Sequence, residues 1–114
     1  MALQFEPNVD ETYDVSGAGL RDAAAALDPE EAGSCRWDVS YEYDSVDRRG
    51  RAVGLRLRAR ITIRMPVWTD RESAPAADRE EWDRFRAALL EHERGHERRA
   101  RARLPETHRR LLET

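Results

Sequence analysis

"VGLRLRARITIRM" (residues 53–65) places Val53, Leu55, Leu57, Ala59, Ile61, Ile63 and Met65 on every second position. Arg56, Arg58, Arg60 and Arg64 alternate with them, and Thr62 falls among the arginines. A period of two is the pattern of a strand with one buried and one wet face. The preceding stretch "CRWDVSYEY" (35–43) alternates in the same way, with Cys35, Trp37, Val39, Tyr41 and Tyr43 on one face. Between them "DSVDRRGRA" is polar and contains a glycine, so the two runs predict an antiparallel hairpin over 35–43 and 53–65. Its polar faces are complementary, acids on the first strand and arginines on the second. Such cross-strand pairs contribute a few tenths to about 1 kcal/mol each. The opposite faces are apolar and require a cover.

That cover comes from the C-terminal part of the chain. Pro66 is expected to end the second strand, and "VWTDRESAPAA" reads as a loop. From Asp78 the period changes: Trp82, Phe85, Leu89, His92 and His96 recur at steps of 3, 4, 3 and 4, continuing to Ala100 and Leu104. This is one stripe of an amphipathic helix, and it predicts that both histidines face the sheet. Pro105 should end or kink the helix, leaving "ETHRRLLET" as a short terminal helical segment. Upstream, "ETYDVS" (11–16) is a β-like run. Ser16 is the expected cap of a short helix in "GAGLRDAAAAL", which "DPEEAGS" breaks. The expected fold is α+β: a small antiparallel sheet of hairpin and N-terminal strand, a short N-terminal helix, and a long helix packed on the sheet. With 114 residues, one domain over 1–114 accounts for the whole chain.

Composition narrows the function. No apolar run approaches the roughly 20 residues of a membrane span. The N-terminus shows no basic segment followed by an apolar one, so the chain as it stands reads as cytoplasmic, or as secreted if a leader has been removed. The lone cysteine, Cys35, excludes an internal disulfide, and its place on the apolar face suits a small core residue better than a nucleophile or ligand. All 20 basic residues are arginine, and the net charge is −3. Acids interleave with the arginines, which argues against nucleic acid as a partner.

The chemistry sits in "HERGH" (92–96). His92 and His96 are four apart, so both rings reach one ion from a single helix face, and Glu93 lies about 100° round the helix beside that ion. This is the H-E-x-x-H arrangement, in which two imidazoles hold zinc and the carboxylate takes a proton from water. Imidazole suits iron as well. A catalytic zinc takes a third protein ligand. His108 is the remaining histidine, and it reaches the site if the chain turns back at Pro105; Glu97, Glu106 and Glu113 are its rivals, Glu97 being directed away from the histidine face. Arg99 and Ala102 stand where a metzincin would have glycine and histidine. Tyr41 and Tyr43, and also Tyr13, are candidates to donate a hydrogen bond to an oxyanion, although all three also suit packing.

Taken in order, "YDVSGAGLRDAAAAL", "RWDVSYEY", the strand ending in "MPVWT" and "WDRFRAALLEHERGH" make the chain resemble the bacterial DUF922 family, described as secreted zinc-dependent proteases. The resemblance spans roughly residues 12–104. It implies a zincin-like metallopeptidase domain with zinc on His92 and His96 and Glu93 as catalytic base. The expected function is therefore one-zinc hydrolysis of a peptide or protein substrate. The rivals are a metal-dependent enzyme that modifies peptides or hydrolyses other amides, and a peptide-binding module that keeps the ion without catalysis.

Overall fold

Alternation along residues 53–65 produces a strand longer than the pattern alone demands. The computed structural model describes residues 3–50 and 52–113, without the side chains of 43–46, 52, 53, 55 and 111–113. Its elements are β1 (Leu3–Phe5), β2 (Val9–Val15), α1 (Leu20–Ala25), β3 (Ser34–Val46), β4 (Ala52–Trp68), a 3-10 turn (Arg71–Ser73) and α2 (Ala76–Glu113). Leu57, Ala59, Ile61, Ile63 and Met65 of β4 are all buried, whereas Arg58 and Arg60 are exposed. β3 pairs antiparallel with β4 from Ser34 opposite Arg64 to Val46 opposite Ala52. The turn between them is closed by the Gly50 amide on the Asp47 carbonyl at 3.0 Å, with Gly50 at φ +78, where glycine is favoured.

The sheet as a whole is mixed, which corrects the all-antiparallel expectation. Both N-terminal strands run parallel to β4: β1 from Leu3 opposite Leu57, and β2 from Val9 opposite Thr62 to Val15 opposite Trp68. β3 already occupies one flank of β4 through Arg64, so β1 and β2 share the other flank. Parallel neighbours need a crossover rather than a hairpin. Here α1 and β3 form that crossover, a relation that no local pattern announces. Pro7 separates β1 from β2, because proline has no N–H for the ladder.

Four other expectations are corrected. Pro66 does not end the strand; it lies buried within β4, beyond the last β3 partner, where a residue without an N–H is tolerated. Its carbonyl accepts from Arg86 Nε at 2.9 Å. Ser16 does not cap α1. The cap is Gly19, and the Leu20 amide donates to Asp78 Oδ2 at 3.0 Å, so a carboxylate from the first turn of α2 does the capping. Pro105 does not end α2, which runs 38 residues straight through it. The fourth concerns the rotation of α2. Its inward face carries Trp82, Glu93, Ala100, Leu104 and His108, all buried, and so lies to one side of the histidine stripe.

Two clusters form the core. One joins Val15, Ala23, Trp68, Ala74 and Trp82, with the Trp68 and Trp82 rings edge to face at 5.6 Å. The other joins Ile61, Ile63 and Met65 to Leu89, Leu90, Phe5 and Cys35. The long axis measures 69 Å against 22 and 19 Å across, as one long helix along one long hairpin requires. Among the described residues, no helix is long and apolar enough to cross a membrane.

A polar clamp fixes α2 sideways. Asn8, beside the Pro7 break, donates to Glu97 Oε2 at 2.9 Å and accepts from Arg101 at 2.6 Å. Arg101 also bonds Glu97 at 2.9 Å and lies 4.7 Å over the Phe5 ring. These contacts pin one side of the helix to the β1–β2 flank, while its backbone runs nearest β4 and β3. On the other flank Trp37, Val39 and Tyr41 of β3 stay 45%, 39% and 68% exposed on the same face that the helix covers over β4.

Two stability predictions follow from these features. Pro105 has no N–H for the Arg101 carbonyl and is exposed. Pro105→Ala should therefore stabilise the chain by about 1–2 kcal/mol in urea unfolding, helix propensity outweighing the looser unfolded state; an unchanged midpoint would mean that the helix breaks there. Burial alone would raise the Glu97 carboxyl, but its bonds to Asn8 and Arg101 prevail and hold it below its ordinary value. A depressed folded value contributes stability above about pH 4.5, lost as pH falls below it. Glu97→Gln should cost on the order of 1 kcal/mol at neutral pH and close to nothing in strong acid.

Candidate metal centre

One turn apart on α2, His92 and His96 meet edge to face, with ring centroids 4.7 Å apart. Their Nε2 atoms are separated by 3.1 Å. Two metal–nitrogen bonds of zinc length at a tetrahedral angle hold their nitrogens about 3.3 Å apart, so the rings already stand near ligating distance. Glu93 completes the group: one donor atom from each of the three residues lies within 4.8 Å of the others. The donor set, two imidazoles and a carboxylate, suits zinc or another borderline divalent ion.

The helix rotation inverts the expected exposure of this group. The sequence stripe predicts that the histidines face the sheet, yet both are exposed and Glu93 is the buried member at 4%. The reason is the placement of Ala100 and Leu104, which at about 100° per residue share a side with Glu93 rather than with His92. A buried carboxylate needs compensation. Among the described residues, the basic atom nearest to it is His92 Nε2, 3.9 Å from Oε1.

The three residues open into a cleft of about 450 Å³ between α2 and the start of β3, with Cys35 and Trp37 on the strand side and Leu89 at one end. Gly33 makes that end tight, since a Cβ there would meet the Leu89 side chain at 3.0 Å. Burial raises the Cys35 thiol, and the negative charges of Glu93 and Glu97 raise it further. That keeps it a thiol, consistent with a packing role.

The structure does not bring the other sequence candidates together. His108 is buried on the same helix twelve residues beyond His96, about 18 Å along the axis. It cannot turn back as a third ligand because Pro105 leaves α2 continuous. Glu97 is held by Asn8 and Arg101, and Glu106 by Arg109 at 2.7 Å and Arg110 at 3.3 Å. The side chains of Glu113 and Tyr43 lie outside the described residues. Tyr41 lies six residues along β3 from Cys35, about 20 Å away, so it is no oxyanion donor here. Tyr13 is occupied in the fold, donating to the Ala32 carbonyl and accepting from the Asp28 amide.

Two residues in the cleft escape the sequence reading: Arg99 and Arg103. They extend the histidine stripe at steps of 3 and 4, a signal hidden by the abundance of arginine on this helix. Arg99 touches the group directly, with its guanidinium 2.8 Å from His96 Nδ1.

The inward Glu93 has a consequence at Cys35. Replacing it by glutamine removes a charge that opposes the thiolate, so Glu93→Gln should speed alkylation of Cys35 by iodoacetamide at about pH 8. A rate unchanged from wild type would place Glu93 away from the strand.

Neither the curated proteins nor the solved structures give a match to this chain. The family model for DUF922, described as a bacterial protein of unknown function, covers residues 10–114, the metal-ligand candidates included, and the chain therefore belongs to the DUF922 family.

Proposed function

We propose that the chain is a zinc-dependent hydrolase of peptide bonds in which His92 and His96 hold the ion and Glu93 is the general base. The observation that carries this reading is the pair of Nε2 atoms 3.1 Å apart at the mouth of a cleft, with a buried carboxylate beside them. When bound, zinc supplies Lewis-acid polarisation and lowers the pKa of water toward about 7. Glu93 accepts the proton of the attacking water as the bond to the carbonyl carbon forms. It then delivers that proton to the leaving amine as the C–N bond breaks. Its burial keeps the carboxylate in one place and shielded from bulk water, which strengthens its contacts there. The substrate lies extended along β3, whose only strand partner among the described residues is β4. The open flank of β3 offers main-chain groups for strand addition.

A second reading has its own support. A catalytic zinc takes three protein ligands, and among the described residues only Glu93 joins the two histidines. A Glu93 drawn onto the ion would leave no base, and the chain would then be a peptide-binding module that keeps a metal.

One experiment separates the two. Elemental analysis of untagged protein should find about one zinc per chain, lost in a His92→Ala/His96→Ala variant. On the hydrolytic reading Glu93→Gln keeps the zinc and loses at least about 100-fold in kcat. Loss of zinc in Glu93→Gln would favour the binding module, and failure of the wild-type chain to bind zinc on titration would overturn both.

A further inference from the structure

Several arginines of α2 pair with carboxylates of the same helix. Arg98 pairs with Glu91 at 2.9 Å, Arg101 with Glu97 at 2.9 Å and Arg109 with Glu106 at 2.7 Å. Arg99 and Arg103, like Arg79, Arg86 and Arg94, reach no carboxylate among the described residues, but of these five they are the two that line the metal-site cleft, and both are exposed. With His92 and His96 they form a single row at steps of 4, 3 and 4, so two guanidiniums without an ion-pair partner among the described residues continue directly from the two rings, in a cleft whose acids are Glu31 and Glu93. Burying an unpaired guanidinium under a bound substrate is costly unless the substrate supplies an anion.

Across the cleft from this row stands β3, with Trp37 and Val39 part-exposed on the helix side. α2 and β3 run in the same direction, since Leu89 packs beside Ile63, opposite Cys35, while Trp37 shares the cleft with Arg103. A strand laid along the open flank of β3 therefore passes the histidines and then the two guanidiniums. Seven helical residues from His96 to Arg103 span about 10.5 Å, the length of roughly three residues of extended peptide.

We infer that the cleft selects acidic polypeptide segments, with an aspartate or glutamate within about three residues of the bond at the metal site held by Arg99 and Arg103. Two guanidiniums one turn apart present planar forks to a carboxylate, and the strand edge supplies the main-chain pairing that a polypeptide can use. This rests on the proposed function only in taking the cleft as the substrate site.

The probe is a fluorescein-labelled extended peptide carrying two glutamates, compared with the same peptide carrying glutamines. Anisotropy is read on wild-type and Glu93→Gln protein, both with zinc. The glutamate peptide should bind at least tenfold more tightly at low salt, with the advantage shrinking as salt screens it. Arg99→Gln/Arg103→Gln should bring the ratio within about twofold, while an Arg21→Gln/Arg84→Gln variant of equal charge loss keeps it. Circular dichroism checks that each variant folds. Equal binding of the two peptides overturns the inference, as does a preference that survives in Arg99→Gln/Arg103→Gln. Tighter Arg99- and Arg103-dependent binding of a single-stranded oligonucleotide of equal charge also overturns it. An acidic peptide bound through these arginines but never cut upholds it and removes the hydrolytic reading. Equal kcat/KM for cleavage of both peptides does the reverse.

Discussion

The Asn8–Glu97–Arg101 clamp determines how the long helix sits on the sheet, and the rest of the site depends on that position. It stands where Pro7 breaks the parallel edge, so Asn8 can leave the ladder and reach the helix. A helix only about 10 Å wide cannot cover a sheet that is three strands across. Pinned to the β1–β2 flank by its side chains, it buries the centre of β4 and reaches the start of β3, and leaves Trp37, Val39 and Tyr41 partly open. The groove and the histidine row inside it follow from that incomplete cover, and the free strand edge from β3 pairing with β4 alone among the described strands.

Burial within the HERGH segment follows the same geometry. The helix's deepest face passes through Glu93, while the two imidazoles stand on the shoulder toward the groove. On the proposed hydrolytic reading, a carboxylate held inward and two rings held outward would divide the tasks of the site by environment. The rings are accessible to an ion, and the Glu93 carboxylate is kept from bulk water. Cys35 feels this arrangement, its thiol raised by burial and by the charges of Glu93 and Glu97.

Much of this was legible from period alone. The alternation of residues 53–65 gave a strand and its buried face, and the step of four gave the histidine pair. Strand orientation was not legible, because a run such as "ETYDVS" looks the same parallel or antiparallel. The two prolines misled for a physical reason: each removes one hydrogen bond, and whether a strand or helix survives depends on what lies opposite. Pro66 sits where β3 has ended, and Pro105 sits on an exposed stretch of a helix held along most of its length. The face of α2 was missed by a fraction of a turn, since Trp82, Leu89, Ala100 and Leu104 leave room for either Glu93 or His96 at the centre. The tie-breaker, Asn8, lies 85 residues or more away in sequence and has no periodicity to betray it.

The contact between Arg99 and His96 carries a consequence for how ion and substrate would communicate. A guanidinium only donates, so His96 Nδ1 accepts, and the proton of the neutral ring is on Nε2, pointed at His92. An ion on that Nε2 displaces the proton to Nδ1, where the ring has nothing left to offer Arg99. The freed guanidinium is then available to an anion in the groove. An anion that draws Arg99 away correspondingly favours the tautomer that can ligate. Thermodynamic linkage makes the effect reciprocal: ion and anionic ligand would bind cooperatively through one imidazole, without any movement of the backbone.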